Sequence, residues 1–120
     1  MKILESAENY LETILKLSST NARVRSIDIA NDLGYSKPSV SVAMKNLKEN
    51  GYINIDNNGS ITLTEKGMQI AYKVLEKEKV ITLLLTKLGV SQEQAEIDAC
   101  KIEHIVSEET IEAIKKHLGV

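Results

Sequence analysis

Near the C-terminus of the chain, the stretch DACKIEHIVSEE brings Cys100, Glu103 and His104 close together. Thiolate, carboxylate and imidazole are the common donors to first-row transition metals. Spacings of three and four residues put all three on one face of a helix. Three donors from one helix do not complete a site, so others must come from elsewhere. Carboxylates are available at Glu12, Glu78 and Glu96. Each residue also has a plainer reading. A single Cys is often a small buried apolar group, a single His a surface or capping residue, and a single Glu a solvated helix charge. His117, at the chain end, reads as surface. Enzymatic chemistry finds no support, since the chain has no Gly-rich phosphate loop, no second cysteine motif and no Ser/His/Asp set.

A second group of residues suits double-stranded DNA. Ser36, Lys37, Ser39, Ser41, Val42, Lys45 and Lys48, with Pro38 among them, lie on the solvent side of one short helical segment. Ser hydroxyls reach phosphates or base edges, and Val42 suits a thymine methyl group. Lys45 and Lys48 suit the backbone, and Arg23 and Arg25, just upstream, suit a phosphate. The chain has three per cent aromatic residues, which argues against single-stranded RNA readout by stacking. The alternative is a protein–protein module on the same scaffold.

These residues need elements to hold them. Residues 6–18 place Tyr10, Leu11, Ile14, Leu15 and Leu17 at helical spacing. SIDIANDL (26–33) predicts a short helix, with Ser26 as its N-cap and Gly34 closing it. Ser36 caps the next helix, Pro38 sits in its first turn, and Gly51 ends it. The period then changes to two in YINI (52–55) and SITL (60–63), with an Asn-Gly turn signal between them. Helix, turn, helix and hairpin make a winged helix-turn-helix, whose second helix enters the major groove. Thr64 opens a long helix that Gly89 stops, with Gly67 an early weak point in it. Ser91 with Gln94 predicts a capping box for a helix through about His104, and Ser107 opens the last helix.

The expected fold is therefore mainly α with a small β-hairpin wing. A winged helix-turn-helix occupies residues 1–72, and a helical metal-binding and dimerisation segment occupies 73–120. The core must be aliphatic, because the chain has neither Trp nor Phe. The segment 73–120 is expected to form a homodimer interface. Leu83, Leu84, Leu85, Leu88, Ile102, Ile105 and Ile111 offer more apolar surface than so short a tail can bury alone.

Net charge is −2, unusual for a nucleic-acid binder. Only the docking face must be positive, and few phosphate contacts per subunit favour a dimer, which doubles them. The single Cys fits a reducing, cytoplasmic setting. MKILESAENY is too acidic for a signal or transit peptide. No apolar run approaches the ~20 residues of a membrane span, so no membrane partner is expected.

At this point the sequence resembles a known family. DACKIEHIVSEE is similar to the metal-ligand segment of the diphtheria toxin repressor and manganese transport regulator family. ENYLETIL resembles that family's first helix, RSIDIANDLGYSKPSVSVAMKNLKENGYI its helix-turn-helix, and ITLTEKG the end of its wing. The resemblance covers nearly the whole chain, and the chain stops where longer members add an SH3-like domain. It implies metal-ligand roles for Glu12, Cys100, Glu103 and His104. Asn9 stands where the family has Asp or Met, and Glu78 where it generally has a His. Glu96 aligns with a secondary-site ligand.

The resemblance further implies a repressor that binds operator DNA as a homodimer and controls metal-uptake genes. The mechanism expected from it is a metal that joins the first helix to the C-terminal helices and presets the spacing of two reading heads. Hard carboxylates favour Mn²⁺, while thiolate and imidazole favour Fe²⁺, Zn²⁺ or Co²⁺. The reading settles on Mn²⁺ or Fe²⁺, with no organic cofactor. Its alternative is a winged-helix regulator responding to a small ligand or to Cys100 oxidation.

Overall fold

The computed structural model describes residues 5–120. Residues 1–4, the start of the stretch read above as no targeting signal, lie outside the described residues. The elements run α1 (Glu5–Ser18), α2 (Ser26–Leu33), α3 (Lys37–Glu49), β1 (Ile53–Ile55), β2 (Ile61–Leu63), α4 (Glu65–Lys87), α5 (Gln92–Ile102) and α6 (Glu108–Leu118). The chain divides into two compact units, one running to Tyr72 and one over Lys73–Val120, and α4 passes from the first into the second. The mainly α architecture with a hairpin wing is the one expected.

In the first unit the apolar stripes of α1, α2 and α3 meet. Leu11, Ile14, Ile29, Val40 and Met44 are all but inaccessible to solvent, and Val24, Ile53, Ile61 and Ala71 join the same aliphatic core. Each such Leu, Ile or Met contributes roughly 1.5–3 kcal/mol on burial. The cap of α2 differs from expectation. Arg25, not Ser26, is the N-cap, because the Asp28 carboxylate accepts the Arg25 N–H at 2.9 Å. Ser36 does cap α3, accepting the Ser39 N–H at 3.3 Å, and Pro38 lies in the first turn.

The two strands pair antiparallel, with Ile55 opposite Ile61. Their connection is longer than a two-residue Asn-Gly turn. Asp56 and Ser60 close a three-residue loop, with Asp56 N–H donating to Ser60 C=O at 3.0 Å and Gly59 at φ +79°. The Asp56 side chain decides this. Its carboxylate accepts the N–H groups of Asn58 and Ser60, at 2.8 and 2.9 Å. The wing gains a third edge from outside the hairpin, since Ile61 N–H donates to Val24 C=O at 2.7 Å.

Gly67 needs a new explanation. It had counted only as a weak point in α4. A Cβ at this buried position would stand 2.1 Å from the Tyr52 carbonyl oxygen, so glycine permits the close approach of wing and helix. Thr64 fastens the same corner. Its hydroxyl donates to Gly51 C=O at 2.7 Å and accepts the Gly67 N–H at 3.2 Å.

The second unit is built on a smaller aliphatic cluster. Val80, Ile81, Ala99 and Ile111 are buried, with Leu85, Ile102, Val106 and Ile114 packed against them. Of the residues expected at a dimer face, Ile111 is buried in this cluster, and Leu85 and Ile102 pack against it while remaining partly open. Leu88 and Ile105 remain 72% and 81% exposed, and Leu83 and Leu84 are half-buried. Ser91 caps α5 by accepting the Gln94 N–H, but Gln94 sends its side-chain amide to Asp98 rather than closing a box. Lys77 pairs with Glu108 at 3.6 Å, and Lys115 pairs with Glu76. The hydrogen bond from Lys115 to Glu76 is the main reason its pKa is raised.

Candidate metal centre and nucleic-acid interface

The donor residues of the second unit lie where α5 stops. The helix ends at Ile102, earlier than expected, and Glu103 is its C-cap in αR geometry, its N–H still donating to Ala99 C=O at 2.9 Å. The backbone turns over 103–105, and Ile105 and Val106 N–H groups both return to Ile102 C=O. The three donors differ in exposure. Glu103 is 1% exposed, the His104 side chain is equally buried, and Cys100 is exposed.

Glu103 is the centre of the arrangement. His104 Nε2 lies 3.3 Å from Glu103 Oε1. From α4, Glu78 brings one carboxylate oxygen within 4.8 Å of one from Glu103. Two carboxylates so placed repel one another, most where one is buried, and a cation between them offsets that repulsion. Two carboxylate oxygens beside an imidazole are also a donor set that divalent Mn or Fe accepts. The residues therefore fit the ion that the sequence suggested.

The remaining candidates are placed individually. Glu12, on α1 in the first unit, is 3% exposed, with Lys16 at 3.6 Å from its carboxylate. Asn9, one turn earlier, is half-buried. Glu96 lies exposed on α5 and accepts a hydrogen bond from the Gln92 amide at 2.8 Å.

In the first unit every residue singled out for DNA is exposed: Arg23, Arg25, Ser36, Lys37, Pro38, Ser39, Ser41, Val42, Lys45 and Lys48. α3 buries Val40, Met44 and Leu47 on its inner side, which is why Ser41, Lys45 and Lys48 face out. Val42 is 63% exposed. Ser36 is partly committed elsewhere, since its hydroxyl also donates to Ser39 Oγ at 2.8 Å.

One charged residue of this face escaped the sequence reading. Asp56, at the wing tip, holds its carboxyl below the usual range. The Ser60 N–H is the main cause, helped by the Asn58 N–H and then by Arg23 and Arg25. An Asp two residues before Asn-58 and four before Ser-60 was the available signal, as an Asx turn rather than a bare Asn-Gly turn. None of the described helices is long and apolar enough to cross a membrane.

Comparison with known proteins agrees with both units. Residues 2–60 match the iron dependent repressor N-terminal DNA binding domain, and residues 64–120 match the iron dependent repressor metal binding and dimerisation domain. An HTH-type transcriptional regulator of Methanocaldococcus jannaschii is 37% identical over 113 residues, which cover 92% of this chain and 90% of that protein. Transcriptional regulator MntR of Escherichia coli is 35% identical over 111 residues, covering 92% and 72%. The solved structure of a manganese-dependent transcriptional repressor in complex with manganese superposes with a TM-score of 0.86 at 25% identity. That alignment takes in 94% of this chain and 52% of the other, so this chain spans about half of it. From its exposed recognition helix to its paired acidic donors, the chain belongs to the iron-dependent repressor family of metal-dependent, DNA-binding transcriptional regulators, which are not enzymes.

Proposed function

We propose that the protein is a cytoplasmic, metal-dependent repressor that binds a palindromic operator as a homodimer and controls metal-uptake genes. The observation that carries this reading is the approach of Glu78 to the buried Glu103, with His104 beside it. Glu78, Cys100, Glu103 and His104 are the proposed ligands in residues 73–120. Glu12 and Asn9 are added on the family resemblance and, for Glu12, on the burial of its carboxylate. Glu96, exposed, is assigned to a secondary site. When bound, Mn²⁺ or Fe²⁺ supplies the positive charge these carboxylates require; Zn²⁺ and Co²⁺ suit the thiolate and imidazole.

On the DNA side, α3 supplies Ser39, Ser41 and Val42 to base edges and Lys45 and Lys48 to phosphates. Arg23 and Arg25 add phosphate contacts beside the wing. Operator binding measured with a chelator, and then with Mn²⁺, Fe²⁺ and Zn²⁺ added separately, tests the whole reading. Restoration by one of these metals supports it, and binding that ignores both chelator and metal overturns it. That second result supports the other reading, a DNA-binding dimer that senses oxidation at Cys100, whose exposure favours it.

The dimer has its own test. Leu88 and Ile105 are the most exposed of the large apolar groups in residues 73–120. Replacing both with Glu is expected to halve the mass seen by light scattering at micromolar concentration, with helical content retained. An unchanged mass moves the interface elsewhere.

A further inference from the structure

The wing, residues 52–63, contains no Lys or Arg, and its only charged residue is Asp56. A winged helix that approaches DNA with an acidic tip invites an explanation. The tip charge is held in place, because the Asp56 carboxylate accepts two backbone N–H groups, from Asn58 and Ser60. The only arginines of the chain, Arg23 and Arg25, flank the residue that pairs with the wing. Val24 C=O accepts the Ile61 N–H at 2.7 Å, and the buried Val24 side chain leaves the two exposed arginines alternating away from it. Both guanidinium groups act on the Asp56 carboxyl, though less than the Ser60 N–H does.

We propose that Asp56 tempers the grip of Arg23 and Arg25 on the DNA backbone, and so sets how sharply the protein discriminates operator from bulk duplex. The inference rests on the DNA-binding reading above. Non-specific affinity follows the number of phosphates that cations neutralise. A fixed carboxylate at the tip of the wing that Val24 pairs with offsets part of the charge of the two flanking arginines and repels nearby phosphates. At the operator, base-edge contacts from α3 compensate; on other sequences nothing does. The cost of Asp56 therefore falls mainly on non-specific binding.

The test is Asp56→Asn in the full-length chain, a change that keeps an acceptor oxygen for the turn. Its binding to a labelled random-sequence duplex, with Mn²⁺ present in one series and Fe²⁺ in another, is compared with wild type across a salt titration. Affinity is expected to rise about fivefold at ~50 mM salt, and the log–log salt slope to steepen by about one. The gain should vanish when Arg23 and Arg25 are both Ala. Glu93→Gln, an equal charge change on α5, should leave binding unaltered. The proposal is overturned if Asp56→Asn matches wild type or Glu93→Gln, or if its gain survives without the two arginines. A wild-type chain that binds no duplex at any salt concentration sinks the DNA-binding reading itself, a separate result.

Discussion

Cys100→Ala combined with Glu103→Ala is expected to erase the response of operator binding to metal while leaving the chain folded. An ion at ~100 times its dissociation constant shifts a coupled equilibrium by at most ~2.7 kcal/mol, so the response at stake is about a hundredfold in DNA affinity. The two substitutions act differently on the fold. Cys100 is exposed, so truncating it removes little packing. Glu103 is buried, but the group lost is a carboxylate close to that of Glu78, and its removal relieves a like-charge contact. Anisotropy of a labelled operator with and without Mn²⁺ reads the response, and circular dichroism reads the fold. Retained activation by metal would remove both residues from the site. An unfolded variant would make them structural.

Gly67→Ala is expected to destabilise the protein by about 2 kcal/mol, opposite in sign to the usual effect of this change inside a helix. Helix propensity alone favours Ala by about 1 kcal/mol. Against it stands a Cβ placed 2.1 Å from the Tyr52 carbonyl oxygen. That oxygen cannot swing aside freely, because it accepts the Thr64 N–H at 3.0 Å. Overpacking of this kind costs up to about 3 kcal/mol, which outweighs the propensity gain. Urea denaturation of wild type and variant measures the difference. A variant as stable as wild type would mean that the wing tolerates displacement from α4.

Much of the architecture was readable from the residues alone. The order of helices and strands follows from the change of apolar spacing at Tyr52 and from the stops at Gly34, Gly51 and Gly89. The outward face of α3 follows equally well, because Val40, Met44 and Leu47 fix which side is buried. What escaped depended on which partner each group finds, near or far in sequence. Gly67 is fixed by a carbonyl fifteen positions away. Asp28 captures the Arg25 N–H and so displaces Ser26 from its cap. For the donor residues, spacing suggested a common face for Cys100, Glu103 and His104. Spacing could not tell that the helix ends at Ile102, nor that Glu103 is buried while Cys100 is exposed. Likewise no count of apolar residues reveals which are consumed internally, so Ile111 looked like a contact for another subunit until its place beneath Val80 and Ile81 was known.

The edge-to-face contact of Tyr10 with Tyr35, ring centroids 6.0 Å apart, has an optical consequence. Tyr52 lies beneath the Lys66 ammonium at 4.3 Å, and Tyr72 closes the same unit. These four are the chain's entire set of near-ultraviolet side-chain chromophores, and residues 73–120 hold none. Tyrosine emission and aromatic ellipticity therefore report on the reading head alone. The C-terminal helices are silent there, whereas Tyr10, set between Asn9 and Glu12 on α1, stands where a metal held by the first helix would be seen.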